Sequence, residues 1–318
     1  MKKIIAMTLV VLMLLGLTAC GSKPADDGKY TIGICQLVTH DALDAATNGF
    51  MQAVKDKLGE ENVTFDLQNA AGDSNTCATI ANAFVAANVD LIMANATPAL
   101  QAAQIATADI PILGTSVTEY SVALDLKDFN GVVGGNVSGT SDLAPLEDQA
   151  AKLGEWFPEA KNVGLLYCSA EPNSKYQVET VKALLEAESI TCKLFPFADS
   201  NDMPAVANGA CEFSDVIYVP TDNTVASSTD IIDGICRAAG VPIIAGEEGI
   251  CAGCGVATLS ISYYDLGYKT GEMAAQILKG EADISTMKIE YAPATRKYNP
   301  TICAELGLTV PEGYVAIG

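Results

Sequence analysis

Short runs rich in β-branched residues alternate along the chain with segments in which apolar residues recur every three or four positions. The run from Tyr30 to Leu37 predicts a strand, and the segment from Asp41 to Leu58 predicts a helix with Phe50 and Val54 on its buried face. The same reasoning predicts further strands at Val63 to Leu67, Leu91 to Asn95 and Ile110 to Gly114, and a helix at Asn75 to Asn88. Strands that alternate with helices indicate parallel sheets covered on both faces.

This series of segments occurs twice. Val163-Gly-Leu-Leu-Tyr-Cys is similar to Ile32-Gly-Ile-Cys-Gln-Leu, and Val241-Pro-Ile-Ile is similar to Ile110-Pro-Ile-Leu, each pair at an offset of 131 residues. Asp215-Val-Ile-Tyr-Val matches Asp90-Leu-Ile-Met-Ala at an offset of 125. A shared order at a nearly constant offset predicts two α/β lobes of the same topology.

The predicted fold is therefore α/β, with two doubly wound parallel-sheet lobes and a ligand cleft between them, where loops follow the carboxyl ends of the strands. The remaining pattern predicts a helix from Tyr264 to Lys279, a strand from Lys288 to Tyr291 and a short helix near Pro300 to Leu306. We expect these pieces to cross back between the lobes. The predicted first lobe comprises residues 29–138 plus about 262–290, and the second comprises 139–261 plus about 291–318.

The first nineteen residues have the pattern of a removable signal. Lys2 and Lys3 precede an apolar run from Ile4 to Leu15, which is too short to span the ~30 Å of a bilayer core. Leu17-Thr-Ala-Cys20 resembles the bacterial lipobox, so we expect a lipid on Cys20 and a polar tether over residues 20–28. The protein would then be extracytoplasmic and held at the cell membrane only by that lipid. A plain secretory signal with an incidental cysteine is the alternative.

Charge and cysteine content exclude several kinds of partner. A formal net charge of −21 makes nucleic acids and anionic lipid surfaces poor partners. Cys251 and Cys254 form a C-x-x-C, but the chain has no second such motif, and His40 is its only histidine. We therefore expect no metal site and no cofactor, and interpret the pair as a loop disulfide or as two free thiols.

Catalytic and nucleotide-binding motifs are also missing from the sequence. It contains no G-x-S-x-G, no G-x-x-x-x-G-K-[ST] and no G-x-G-x-x-G. A carboxylate pair such as Asp222 with Glu247 could support acid–base chemistry only with shifted pKa values. An extracellular enzyme is therefore a distant alternative to a receptor, which releases its ligand unchanged.

Four segments carry a family resemblance: IGICQLVTHDALDAATNGF, GTSDLAP, VPTDNTV and SYYDLGYKTGEMAAQILKG. They resemble the substrate-binding lipoproteins of a bacterial ABC importer family over residues 29–318. The resemblance implies a type I periplasmic-binding fold, an aromatic amino acid such as tryptophan or phenylalanine as ligand, and a membrane permease as partner. Ligand capture would occur by hinge closure of a protein that we expect to be monomeric.

The predicted strand-end loops share hydroxyl, amide and carboxylate side chains. The only arginines, Arg237 and Arg296, lie outside these loops, which disfavours phosphate or dicarboxylate ligands. A zwitterion fits better, with its carboxylate on hydroxyls and backbone N–H groups and its ammonium on Asp222 or Glu247. The predicted ligand-binding set is Thr39, His40, Thr97, Thr115, Ser116, Thr140, Ser141, Asp142, Asn173, Tyr176, Thr221, Asp222, Asn223 and Glu247.

Each of these residues also has a structural interpretation. Asp222 with Asn223, and the segment from Thr140 to Asp142, have the residue types of helix N-caps, and His40 could lie on the surface. Tyr176 and Tyr263 could line an apolar pocket, whereas Trp156 lies far from the loops and is expected to pack in a core. A sugar receptor would ordinarily stack its ligand on tryptophan, so the position of Trp156 disfavours a sugar. A small sugar or a nucleoside is kept as the rival ligand class.

Overall fold

A computed structural model describes residues 29–317. The predicted signal, the predicted lipidation site Cys20 and the predicted tether over residues 20–28 lie outside the described residues. Among residues 29–317, no helix is both long enough and apolar enough to cross a membrane.

The described residues form two sets of alternating elements. The strands are β1 Tyr30–Gln36, β2 Val63–Asn69, β3 Leu91–Asn95, β4 Ile112–Val117, β5 Val137–Ser141, β6 Asn162–Cys168, β7 Thr191–Phe197, β8 Val216–Val219, β9 Ile243–Ala245, β10 Ala257–Ser260, β11 Glu290–Tyr291, β12 Thr295–Tyr298 and β13 Val315–Ala316. The helices are α1 Asp41–Leu58, α2 Ser74–Ala87, α3 Thr97–Ala106, α4 Tyr120–Ala123, α5 Leu146–Trp156, α6 Pro172–Ala187, α7 Met203–Phe213, α8 Asn223–Ala226, α9 Thr229–Ala239, α10 Glu248–Cys254, α11 Tyr263–Leu278 and α12 Pro300–Glu305.

The described strands form two sheets, and five strands in each sheet share the same topology. The first has the order β11-β5-β4-β3-β1-β2 and the second β13-β12-β10-β9-β8-β6-β7. Read along the chain, the five strands β1–β5 and the five strands β6–β10 take the same places in their sheets, and all pair in parallel. Strand β12 adds antiparallel to β10. The predicted two-lobe, doubly wound α/β fold is confirmed.

The repeat seen in the sequence extends to individual hydrogen bonds. The carboxylate of Asp90 accepts from the backbone N–H of Thr31 at 2.7 Å, at the start of β1. The carboxylate of Asp215 accepts from Lys161 and Asn162, both at 2.8 Å, at the start of β6. Each aspartate therefore links the start of the first strand in its lobe, β1 or β6, to the start of the neighbouring strand, β3 or β8.

Within residues 29–317 the chain crosses between the lobes three times: after β5, after β10 and after β11. The sequence-based boundary at residue 139 falls inside β5, whereas the structure keeps β5 whole in the first sheet, because Thr140 and Ser141 pair with Glu290 and Tyr291 of β11. We therefore draw the lobes as residues 30–141 with 263–291, and residues 146–260 with 295–316.

Helix α11 returns to the first lobe and packs closely on α1. A Cβ atom at Gly267 would lie 1.9 Å from the carbonyl oxygen of Ala46, and one at Gly49 would lie 2.1 Å from the carbonyl oxygen of Tyr264. The two helices thus touch through their backbones at these glycines. Phe50, Val54 and Met273 complete an apolar layer between this helix pair and the first sheet.

Candidate functional site

A small cavity lies between the lobes, at the carboxyl ends of the parallel strands, and its free volume is about 10 Å³, room for roughly one water molecule. Small-molecule sites commonly have volumes of about 300–1,000 Å³, so the lobes and the lining side chains must move apart to admit an amino acid. The lining residues are His40, Leu43, Ser116, Thr118, Asp142, Asn173, Thr221, Asp222, Asn223, Ala226, Glu247 and Tyr263. Among these described lining residues, none is a lysine or an arginine, so the cavity is acidic.

Asp142 lies at the first crossing, immediately after β5, and is 5% exposed. Its Oδ2 accepts a hydrogen bond of 3.0 Å from the hydroxyl of Tyr263, the first residue of α11. Its Oδ1 is buried and has no hydrogen-bond partner within residues 29–317. Burial raises the pKa of Asp142 to about 6, although the hydroxyls of Tyr263 and Thr118 near the carboxylate offset part of the increase. An unpartnered buried carboxylate oxygen calls for a donor from a ligand.

Asp222 and Glu247 also face the cavity, but their oxygens already accept backbone hydrogen bonds. Asp222 is the N-cap of α8 and accepts from Val225 at 3.0 Å and from Cys168 at 2.7 Å. Glu247 is the N-cap of α10, where it accepts from Gly249 at 2.6 Å and from Ile250. Burial raises the pKa of each carboxyl to about 7. Both residues therefore serve as helix caps, and their contact with a ligand stays a prediction.

Two further polar atoms in the cavity wall are buried and unpartnered in the described chain: Ser116 Oγ and Asn173 Oδ1. Ser116 has a positive φ of 53°, a conformation that L residues adopt at a cost and that interrupts the pairing of β4 with β5. Asn173 is held by its amide nitrogen, which donates to the carbonyl of Thr221 at 3.0 Å. The hydroxyl on the first lobe and the amide oxygen on the second are thus both available to a ligand.

His40 and Asn223 join the two lobes across the cavity. His40 precedes α1 in the first lobe, and its Nε2 lies 3.3 Å from Oδ1 of Asn223 in the second. The amide nitrogen of Asn223 donates to the buried carboxylate of Glu171 at 2.6 Å, which turns Oδ1 toward the imidazole. Because Oδ1 can only accept, His40 Nε2 must carry the proton. Burial lowers the pKa of His40, which favours this neutral form.

Eight of the sequence-predicted residues thus line the cavity, and six do not. The hydroxyls of Thr115 and Thr140 lie 3.2 Å apart inside the first lobe, and Thr140 also bonds Thr270 at 2.8 Å. Ser141 donates to the carbonyl of Thr118 at 2.8 Å. Thr97 is buried away from the lining, Thr39 is exposed, and Tyr176 packs at the edge of the second-lobe core.

Sequence reasoning did not select Leu43, Thr118, Ala226 or Tyr263 for the predicted set, although Tyr263 was considered as a pocket residue. Leu43 and Ala226 lie in helices just beyond the loops, where an apolar residue is indistinguishable from core. Glu171, behind the wall, accepts from Asn223 and Thr224 and thereby positions Asn223. Its position three residues after β6, among polar loop residues, is the signal that could have drawn attention to it.

The site and its surroundings contain carboxylates and thiols, the side chains that hold metal ions or form disulfides. Within the part of the chain that the structure describes, no group of three or more His, Cys, Asp and Glu side chains could hold a metal ion. Cys251 and Cys254 are buried thiols on α10, whose sulfurs donate to the carbonyls of Gly255 at 3.7 Å and Ile250 at 3.3 Å. The C-x-x-C motif is therefore part of a helix rather than of a loop.

Comparisons with known proteins agree with this geometry. Residues 31–316 match a family model described as ABC transporter substrate binding protein. The chain is 37% identical over 295 residues to the tyrosine-binding protein of Clostridioides difficile strain R20291, an alignment that covers 88% of this chain and 85% of the relative.

Two solved structures add information on the arrangement of the lobes. A Streptococcus pneumoniae ABC domain in complex with L-Trp is 32% identical and has a TM-score of 0.86, with 91% of this chain and 100% of that chain covered. The ligand-free, open structure of a Clostridium difficile substrate binding protein with adhesive properties is 38% identical, with 91% and 99% covered, but its TM-score is 0.69. The described chain is therefore closer in overall shape to the ligand complex than to the more similar open protein.

Proposed function

Because the chain belongs to the family of ABC transporter substrate binding proteins, we propose that it captures an aromatic amino acid in the cavity between its lobes and delivers it to a membrane permease. The family places the protein outside the cytoplasmic membrane. The observation that carries the choice of ligand is the buried, unpartnered Oδ1 of Asp142 in an acidic cavity that is closed between two lobes. The proposal has three further parts: the identity of the ligand, the closure of the two lobes around it, and the lipid anchor at Cys20.

The polar residues of the lining offer the groups that an amino-acid backbone needs. An ammonium group carries three donors, and Asp142 Oδ1 and Asn173 Oδ1 are two buried acceptors that need donors. Repulsion between Asp142 and Glu247 raises the pKa of Glu247, and a positive charge on the ligand would relieve that repulsion. The Ser116 hydroxyl, unpartnered in the described residues, would donate to the ligand carboxylate. A charge-assisted hydrogen bond of this kind contributes more than a neutral one.

The apolar and ring-bearing residues of the lining favour an aromatic side chain. Leu43 and Ala226 supply apolar surface, and the lining also includes the rings of His40 and Tyr263. Aromatic rings favour edge-to-face or offset contacts with other rings. Relatives that bind tyrosine and L-Trp support this choice of side chain.

The proposal is tested by titration calorimetry of the purified protein with tyrosine, tryptophan, phenylalanine, leucine, a nucleoside and ribose. We expect binding of one or more aromatic amino acids, with recovery of the ligand unchanged. Two analogues of the bound amino acid complete the series: the amine that lacks the carboxylate and the acid that lacks the ammonium. Each should bind at least about 100-fold more weakly than the amino acid itself. Binding of ribose or the nucleoside without any amino acid would overturn the proposal.

Closure of the two lobes around the ligand is supported by the His40–Asn223 contact and by the likeness to the L-Trp complex. A ligand that contacts both lobes favours the closed form by its differential contacts. We expect small-angle scattering to give a smaller radius of gyration with ligand than without it. An unchanged radius would contradict closure.

Replacing His40 by alanine should weaken ligand binding about tenfold, because the closed form loses one interlobe hydrogen bond and part of the ring wall. His40→Gln is the matched control, since its amide can still donate to Asn223. Calorimetry should therefore rank the dissociation constants as native protein, His40→Gln, then His40→Ala. Equal affinity for all three would show that the contact does not stabilise the closed form.

Ligand affinity should fall about tenfold from pH 7 to pH 5, since the pKa of Asp142 is raised to about 6 in the ligand-free cavity. The ammonium favours the ionised carboxylate, so it lowers this pKa in the complex, and acidification must then weaken binding. Because His40 also gains charge at low pH, calorimetry is repeated on His40→Gln, which removes that contribution. Asp222 and Glu247 face the same cavity. A pH-independent affinity in both proteins would contradict this assignment.

The proposed lipid anchor at Cys20 is tested by the variant Cys20→Ala in the native host. The native protein should be labelled by a radioactive fatty acid and sediment with membranes, and the variant should do neither. Membrane sedimentation of an unlabelled variant would overturn the anchor without affecting the proposed ligand.

A further inference from the structure

Two thiols from different helices meet on the outer layer of the second lobe. Cys211 lies near the end of α7, and Cys236 lies near the end of α9. Their sulfur atoms are 3.5 Å apart. The two helices pack side by side over β8 and β9, so the fold brings the two side chains together.

The two thiols differ in their access to solvent. Cys211 is partly exposed, whereas Cys236 is 1% exposed. A soluble oxidant can therefore reach Cys211, and Cys236 is placed directly behind it as the resolving thiol. Burial raises the pKa of both thiols, so the exchange should be slow near pH 7 and faster in mildly alkaline solution.

We propose that Cys211 and Cys236 form a reversible disulfide that links α7 to α9 outside the cytoplasm. The oxidant is a small-molecule disulfide such as oxidised glutathione. The Cys211 thiolate attacks one sulfur of the oxidant and displaces one glutathione thiolate. Cys236 loses its proton and attacks the Cys211 sulfur, which releases the second glutathione, so two protein thiols become one disulfide and one glutathione disulfide becomes two thiols.

The structural consequence concerns the segment between the two cysteines. It contains β8 and the loop with Thr221, Asp222 and Asn223, which line the cavity. The sulfurs are already in contact, so the link should form without moving that loop and leave the ligand affinity unchanged. It removes freedom from the unfolded chain, so it should raise the melting temperature by roughly 5 °C.

The other cysteines offer internal controls. Cys251, Cys254, Cys35 and Cys77 are buried, between 0% and 4% exposed, and should stay thiols in the folded protein. Cys192 is partly exposed like Cys211, but it lies on β7 and has no thiol partner among the sulfur contacts of the described residues. It should give at most a mixed disulfide with glutathione.

The experiment treats the folded, purified protein with oxidised glutathione at mildly alkaline pH, alkylates remaining thiols after denaturation, and digests it with trypsin. No Lys or Arg lies between Lys193 and Arg237, so Cys211 and Cys236 fall on one peptide, 194–237, and Cys192 on another. We expect peptide 194–237 to lose two hydrogen atoms and to take up no alkylating reagent. Cleavage after Glu212 should then give two linked fragments that dithiothreitol separates.

Two outcomes would overturn the proposal: both cysteines alkylated, or Cys211 persisting as a mixed disulfide with glutathione. The variants Cys211→Ser and Cys192→Ser complete the test. The first should abolish both the link and the rise in melting temperature, and the second should keep both. A rise that persists in Cys211→Ser would show that the effect has another source.

Discussion

Asp142→Asn is expected to weaken amino-acid binding at least about 100-fold, which corresponds to roughly 2.7 kcal/mol or more. The substitution keeps the size of the side chain but removes its charge. The buried Oδ1, which has no partner in the described protein, would lose its ability to pair with the ligand ammonium. The Tyr263 hydroxyl could still donate to the remaining amide oxygen. Calorimetry measures the loss directly.

Asp222→Asn provides the comparison, because the sequence alone favoured Asp222 or Glu247 as the ammonium partner. Both oxygens of Asp222 accept backbone hydrogen bonds, and an amide nitrogen cannot accept one. We expect this variant to lose about 1–3 kcal/mol of stability and to bind ligand with a smaller change in affinity than Asp142→Asn. A folded Asp222→Asn that fails to bind, beside an Asp142→Asn that binds normally, would assign the ammonium to Asp222.

Gly267→Ala should destabilise the protein by about 3 kcal/mol, although alanine is the better helix former by roughly 1 kcal/mol. The new Cβ would lie 1.9 Å from the carbonyl oxygen of Ala46 in α1. Neither atom can turn away, because the oxygen belongs to the backbone of α1 and the Cβ is bonded directly to the backbone of α11. The helices must separate, and the apolar layer beneath them loses contact. Urea denaturation followed by circular dichroism measures the change in the free energy of unfolding.

Gly234→Ala on α9 is the matched control for this substitution. Gly234 is also inside a helix, but a Cβ there meets no atom within 4 Å. This variant should gain up to about 1 kcal/mol, so the two glycine-to-alanine changes should have opposite signs. A gain at both positions would contradict the backbone contact between α1 and α11.

The repeat made the fold predictable, and the places where the prediction fell short have physical causes. The order and offset of the apolar segments located β1, β3, β4 and their counterparts because buried parallel strands are continuous apolar runs. Strand β5 has the sequence Val-Ser-Gly-Thr-Ser, which is polar in composition, and the sequence-based lobe boundary at residue 139 falls inside it. It is buried because its hydroxyls bond to neighbouring side chains such as Thr115 and Thr270.

The candidate site was predictable to the level of loops but not of individual atoms. The rule that ligands bind at the carboxyl ends of parallel strands selected the segments that contain Ser116, Asn173 and Asn223. It could not separate Ser116, which faces the cavity, from Thr115, which faces the first-lobe interior. That distinction depends on the positive φ of Ser116, which redirects the chain at the end of β4. Whether Oδ1 of Asp142 has a hydrogen-bond partner likewise depends on which donors surround it in space.

The three chain crossings lie side by side, because β5 pairs with β11 and β10 pairs with β12. A single connection would leave the lobes free to twist, slide and bend, whereas three adjacent ones leave mainly rotation about one axis. The ligand then has to select among few orientations of the two lobes, and the entropy lost on capture is correspondingly small. A small ligand with few polar atoms can therefore bind tightly between the two lobes.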